Sequence, residues 1–258
     1  GDGARLALFT LTRGESGDNA IGPQLFDGLA LIRTDELLNA GRYYGVDEQY
    51  FSTFVDYGFS KRLNEAFEKW GRQDVLREAV RVMRTSRPWI VLSRFQGNQR
   101  DGHGNHQAAG IIGPEAARLA GDPSVFPEQI AEGLRPWKPF KIYIGGVRQD
   151  EEWSARVDSG EYSPWLGDSF DNVARFGLSY QRSQNSGRFS SGAGANFGYY
   201  RRTDTETAPA TRETTVWDGL NTTYAGLFAT LGRTAPANVA AMMTSLDQTV
   251  ARAAGAFA

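Results

Sequence analysis

Apolar positions in the first half of this 258-residue chain switch repeatedly between two patterns. Short continuous apolar runs, the mark of buried strands, alternate with stripes at spacings of three and four, the mark of helices. The runs at residues 5–11, 50–55, 89–95 and 140–144 predict strands. Phe26, Ala30, Leu37, Ala40 and Tyr44 form a stripe that predicts a helix over residues 25–44, with Arg33 inside the stripe where an apolar residue is expected. Val75, Ala79 and Val82, beside Leu76, Val80 and Met83, predict a second helix over 73–85, and Pro88 closes its connection to the next strand. A third helix follows His106 and carries Ala109, Ile111 and Ile112; Gly113-Pro114 is expected to kink or restart it. Strands alternating with helices predict an α/β fold, a mostly parallel sheet with helices on both faces. The strands at 5–11, 50–55 and 89–95 are expected in that one sheet.

The pattern changes in the second half. Residues 159–167 are turn-rich and aromatic, and 169–183 predict a helix. Residues 184–196 are rich in serine and glycine and predict a mobile loop. A threonine-rich polar stretch at 203–215 leads to helices near 218–231 and 237–257. The chain thus divides into a core over 1–150 and a loop-rich, helical C-terminal part over 151–258 that completes it. There is no internal repeat.

Composition narrows the function classes. A formal charge of −2 offers no basic footprint, which argues against nucleic acid as a partner. No apolar run approaches the ~20 residues of a membrane helix. The absence of cysteine excludes disulfides, thiolate metal sites and a cysteine nucleophile. Thirty glycines and six tryptophans point to many loops and to flat apolar surfaces of the kind sugars prefer.

Only two histidines occur, three apart in Arg100-Asp101-Gly102-His103-Gly104-Asn105-His106, directly after the strand at 89–95. A strand end passing through a glycine-rich loop into a helix is where open α/β sheets place ligands. Histidine both binds metals and transfers protons near neutrality. With Asp101 the pair could form a two-histidine, one-carboxylate iron site. Alternatively one histidine binds a metal, with further ligands from elsewhere in the fold, while the other serves the reaction. Both could also simply hydrogen-bond within the loop. Arg33 is costly on an apolar stripe unless paired, and Glu36 one turn on is its obvious partner; otherwise it reaches over the sheet edge towards a polar substrate. Asp56 ends its strand either as a ligand contact or as a turn-starting aspartate. Thr12-Arg13-Gly14-Glu15 reads as a tight turn near a site.

These pieces, in this order, resemble the PIG-L/LmbE-like family of zinc-dependent N-deacetylases. The matching stretches are Leu11-Thr12-Arg13-Gly14-Glu15, Ile32-Arg33-Thr34-Asp35-Glu36-Leu37, Asp56-Tyr57-Gly58-Phe59-Ser60 and Asp101-Gly102-His103-Gly104-Asn105-His106-Gln107. Gly160-Glu161-Tyr162-Ser163-Pro164-Trp165-Leu166-Gly167 and Gln181-Arg182-Ser183-Gln184 resemble the long bacterial members, so the likeness covers residues 5–187. The resemblance implies a Rossmann-like sheet, a zinc cofactor, and hydrolysis of an acetamide on an N-acetylglucosamine-type sugar or related small-molecule amide. It also implies an extracytoplasmic location. By resemblance His106 is the zinc ligand, His103 stabilises the tetrahedral intermediate or helps proton transfer, and Arg33 and Asp56 hold sugar hydroxyls.

Two departures stand out. The family's His-Pro-Asp-Asp-Glu motif, which supplies the other zinc ligands and the general base, is absent from these residues. Where some relatives carry a tyrosine acid, two residues before the first histidine, this chain has Asp101; the tyrosine's role does not carry over, and Asp101 is the candidate catalytic carboxylate of the loop. The chain also starts at Gly1 without an initiator methionine. The expectation is a fragment of a deacetylase, its sheet missing the first strand, its zinc site incomplete, and inactive alone. A non-catalytic carbohydrate-binding module on the same fold is the alternative.

Overall fold

Two parallel strand pairs, each joined through helices, frame the molecule. The computed structural model describes residues 4–187, 192, 194–204 and 212–256. β1 (Ala7–Thr10) pairs in parallel with β2 (Glu48–Phe51) through α1 (Asp27–Tyr44). α2 (Leu63–Trp70) and α3 (Arg72–Ser86) lead to β3 (Ile90–Ser93). α4 (Gly104–Leu119) and α5 (Pro127–Ala131) then carry the chain to β4 (Lys141–Val147), which runs parallel to β3. β5 (Ala155–Asp158), the short hairpin of β6 (Tyr162–Ser163) and β7 (Asp168–Ser169), and α6 (Phe170–Leu178) follow. β8 (Phe197–Arg202) returns to lie antiparallel between β4 and β5, giving the order β3-β4-β8-β5.

The expected single sheet is therefore two. Among the described residues β1 and β2 form a sheet of their own, and β3 pairs with neither. What unites the two sheets is the helical layer. Val91 and Ile142 of the larger sheet lie in one buried cluster with α2, α3 and α4, while Phe9, Leu11 and Phe54 from the smaller sheet's strand and loops pack on that cluster. The larger sheet is mixed because β8 re-enters from the C-terminal part, and antiparallel strands tolerate the partial exposure that β8 shows.

Small residues let α4 come close. Ala108, Ala116, Ala117 and Ala120 are buried beside Val75, Ala79 and Val80 of α3. At Gly110 a Cβ would lie 2.8 Å from the Gly97 Cα, so only glycine lets the helix press against the loop after β3. The expected break at Gly113-Pro114 does not occur, and α4 runs through Pro114 unbroken. Pro114 forfeits one backbone bond, but Ile112, Ala116 and Ala117 are buried on both sides of it and hold the helix together.

α3 carries an unusual core residue. Arg84 is 1% exposed. Its guanidinium donates to the carbonyls of Ala120, Asp122, Val125 and Phe126 and to Gln129 Oε1, at 2.7–3.3 Å. Burial lowers its pKa, and Glu128 and Asp122 pull it back up.

α1 buries only part of its predicted apolar stripe. Phe26 is 66% exposed, whereas Ala40 of the stripe is buried together with Leu29 and Glu36 outside it. The polar residues Arg33 and Glu36 turn inward because a partner meets them there: Ser183, on a 3-10 turn at Arg182–Gln184. The helix expected over 169–183 is this turn plus the shorter α6. The expected mobile loop lies partly outside the described residues, at 188–191 and 193. α7 (Leu227–Thr230) and α8 (Ala237–Gly255) belong to a second unit, Glu213–Ala258, separate from the unit Gly1–Arg212. The division expected near residue 150 is bridged by β4 and β8. Among the described residues no helix is long and apolar enough to cross a membrane.

Candidate active site

The histidine loop is built by Asp101. Its carboxylate accepts the backbone N–H groups of Gln96 (3.1 Å), Gly97 (2.7 Å) and Asn98 (3.0 Å), folding the chain after β3 back on itself. Asn98 caps the resulting 3-10 turn by accepting from Arg100 N–H. His103 then stands at the N-cap of α4. The N–H of Gly104 donates to Ser60 O at 2.8 Å, and a Cβ at Gly104 would lie 2.6 Å from the Tyr57 hydroxyl, so glycine is needed where α4 meets the 57–62 loop. Gln107 ties the same corner through Lys61 O and Gly102 O.

This placement sets the state of His106. Its Nδ1 lies 2.9 Å from the carbonyl oxygen of Asp101. A carbonyl only accepts, so Nδ1 carries a proton, and in the neutral ring the lone pair is then on Nε2. The same backbone bond is the usual means of orienting a metal-binding imidazole. The ring stacks on Phe95 with centroids 4.3 Å apart, and the His103 ring follows at 5.3 Å. Phe59 meets His103 edge-on at 5.6 Å.

A second set of bonds carries Asp56 to this corner. Asp56 Oδ1 accepts from Asn105 Nδ2 at 2.7 Å, placing Asp56 beside the residue between the two histidines. Glu15 Oε2 accepts the N–H groups of Asp56 and Arg13, both at 3.1 Å, and Ser16 Oγ donates to Asp56 O. Arg33 reaches the loop that holds Glu15, donating to Gly14 O, to Asp18 O and to Ser183 Oγ. Ser183 in turn donates its N–H and hydroxyl to Glu36. Arg33 and Glu36 thus share Ser183 and make no direct ion pair among the described residues. Burial lowers the Arg33 pKa, while Glu36, Asp56, Glu15 and Asp18 raise it, so Arg33 and Asp56 lie in one electrostatic neighbourhood.

The five sequence candidates fare differently. His103, His106 and Asp56 meet at the N-terminus of α4. Arg33 joins them through the loop after β1, with a protein acceptor at each of its three nitrogens. Asp101, expected to be catalytic, has three backbone amides on its carboxylate, and its contact with a histidine runs through its backbone carbonyl. Sequence reasoning quoted Asn105, Tyr57, Ser183 and Glu15 only within the matching stretches and gave none of them a role of its own. Asn105 had one signal, its place between the histidines. Tyr57 Oη and Asn105 Oδ1 are buried and have no hydrogen-bond partner among the described residues. Burial, with Glu65 and Asp56 nearby, pushes the Tyr57 phenol up to about 12.

A catalytic zinc takes three protein ligands and keeps one position open. Among the described residues no group of three or more His, Asp or Glu side chains could hold a metal ion. His106 offers one ring nitrogen, three backbone amides occupy the Asp101 carboxylate, and Asp56 accepts from Gly58 and Asn105 through Oδ1. The donor set described does not fit a complete zinc site.

Strands whose carboxyl ends lead into the histidine loop define the class, an α/β protein with its candidate site at the strand ends. Within that class residues 1–117 match the model of the PIG-L family, described as GlcNAc-PI de-N-acetylase. A 1D-myo-inositol 2-acetamido-2-deoxy-alpha-D-glucopyranoside deacetylase 1 from Catenulispora acidiphila is 31% identical over 157 residues, 55% of this chain and 47% of that protein. A protein of the same name, without the numeral, from Streptomyces scabiei is 31% identical over 160 residues, 57% of this chain and 48% of its own length. The chain spans about half the length of the curated relatives it matches. In fold it is similar to an N,N'-diacetylchitobiose deacetylase from Pyrococcus horikoshii, with a TM-score of 0.56 and 16% identity over 78% of this chain and 73% of that one.

Proposed function

We propose that this chain serves the hydrolysis of an acetamide on an N-acetylglucosamine-type sugar or a related amide, the zinc-dependent N-deacetylation that its family resemblance implies. The observation that carries the reading is the His106 imidazole. It is held by the Asp101 carbonyl with no partner for Nε2 among the described residues, and it stacks beside His103 in the segment that matches the PIG-L family. The names of the relatives, which act on an acetamido sugar, support the same chemistry.

The parts fall into roles. His106 presents one basic nitrogen to whatever occupies the crevice. His103 can hand a proton to the departing amine, the kind of step in which a positioned side chain contributes roughly 10²–10⁴-fold. Asp56, held by Asn105 and Gly58, is set to accept from a sugar hydroxyl. Arg33 keeps the Gly14–Asp18 wall in place and, through it, Asp56. Zinc would supply a polarised carbonyl and an activated water, but the described residues leave its ligand set short.

The 258 residues alone are therefore expected to hold zinc loosely and to release no acetate from N-acetylglucosaminyl inositol. A longer chain that adds His-Pro-Asp-Asp-Glu ahead of β1 is expected to do both. In that longer chain His106→Ala abolishes release, and His103→Ala lowers it while sparing most of the zinc. Full acetate release by the His106→Ala variant would overturn the reading.

A further inference from the structure

Ser183 stands on the 3-10 turn after α6, outside the residues 1–117 that match the family, and it is 1% exposed. Its polar groups are all spent on that earlier segment. Its N–H and hydroxyl donate to Glu36 at 2.7 and 2.6 Å, and its carbonyl accepts from the Ala20 N–H at 2.9 Å. Arg33 Nε donates to the same hydroxyl oxygen at 3.3 Å. A hydroxyl donates and accepts at once, so one small side chain bridges a guanidinium and a buried carboxylate that make no ion pair of their own among the described residues. The helix before the turn is itself seated on α1, where Tyr44 Oη donates to Ala174 O at 2.6 Å.

From Ser183 the bonds run on to the candidate site. With its Nε held, the Arg33 guanidinium donates to Gly14 O and to Asp18 O, on either side of Glu15. Glu15, 5% exposed, accepts the N–H groups of Arg13 and Asp56, both at 3.1 Å. Asp56 then accepts from Asn105, which stands between the two histidines. Contiguous hydrogen-bond networks of this kind carry energetic coupling between separated parts of a fold. We propose that Ser183 is a positioning residue for Asp56: the turn after α6, an element outside the family-matching span, sets how the Asp56 carboxylate is presented and thereby how tightly the site holds its sugar. The contact of Asp56 with a sugar rests on the deacetylase reading; the positioning rests on the chain of bonds alone.

The test follows the full chain by NMR as wild type, Ser183→Ala and Glu36→Gln. The second variant keeps the side chain's shape and exchanges one acceptor oxygen of Ser183 for an N–H group, a milder cut from which the same outcomes are read should Ser183→Ala not fold. Amide exchange is measured at Arg13 and Asp56, and at Gln96, Gly97 and Asn98 as a control on the separate Asp101 turn. Protection at Arg13 and Asp56 is expected to fall by about tenfold or more in Ser183→Ala and by less in Glu36→Gln, while the control amides keep theirs. The Asn105 side-chain amide resonance is expected to move, and added N-acetylglucosamine to bind at least about fivefold more weakly. An equal loss at both sets of amides would make Ser183 a general support of the fold, and unchanged protection at Arg13 and Asp56 would cut the connection; either overturns the proposal. If those two amides and Asn105 respond but N-acetylglucosamine binds unchanged, or binds no form of the chain, the positioning stands and Asp56 as a sugar contact falls. If the sugar affinity drops while those groups stay unmoved, the sugar contact survives and the positioning falls.

Discussion

Replacing Asp101 by asparagine separates a positioning role from a catalytic one. The carboxylate accepts three amides, two of them on Oδ2 at 2.7 and 3.0 Å and one on Oδ1 at 3.1 Å. Asparagine keeps one acceptor oxygen and turns an N–H group towards the remaining donors. At a net of about 1 kcal/mol for each hydrogen bond lost or weakened, the half-buried loop forfeits roughly 2 kcal/mol. For a chain of this size that is a fall of about 4–8 °C in melting temperature. The loss is local as well, because the Asp101 carbonyl that orients His106 rides on the same turn. Calorimetry reads the first effect. Amide hydrogen exchange at Gln96, Gly97 and Asn98 reads the second, with protection expected to drop by about tenfold or more. An unchanged melting temperature together with unchanged exchange would refute the positioning role and restore Asp101 as a free carboxylate.

Arg84→Met strands four carbonyls and Gln129 Oε1 in the interior and is expected to cost roughly 3–5 kcal/mol in urea unfolding, since breaking a buried charged network leaves its partners unsatisfied. Arg84→Lys should recover only part of that, because a point charge cannot serve a fork of acceptors; full recovery would show that charge alone matters. Tyr57→Phe, which removes a hydroxyl with no partner, is expected to leave stability at neutral pH unchanged or slightly raised. The phenol's pKa is higher folded than unfolded, so its neutral form stabilises the fold fully below ~10 and that contribution is lost as pH rises towards about 12. Unfolding compared at about pH 9 and about pH 11 should show a steeper fall in the wild type than in Tyr57→Phe, and parallel falls would contradict the buried phenol.

Much of the scaffold could be read from the sequence because its signals are local. The run Trp89-Ile90-Val91-Leu92 is apolar throughout, and β3 takes its last three residues together with Ser93. The stripe at Val75, Ala79 and Val82 lies within α3. The histidine loop fell where strand passes to helix. What escaped depends on contacts distant in sequence. The polar face of α1 turns inward only because Ser183, 147 residues from Glu36, is there to bond it. Glu15 works by holding an amide 41 residues away, and no periodicity marks that pairing. β8 follows a serine- and glycine-rich stretch and gains its place from β4 and β5 rather than from its own pattern. The Gly113-Pro114 pair is a true local signal that burial overrides.

With two histidines in the chain, two imidazole spin systems report on the site without overlap. The most direct measurement is a long-range nitrogen–proton NMR spectrum of those rings, recorded during titration with N-acetylglucosaminyl inositol. The account requires His106 in the Nδ1–H form, and both rings should shift together as the acetamido sugar binds. A His106 ring protonated at Nε2 instead, or a ligand that binds while both imidazoles stay where they were, would contradict it.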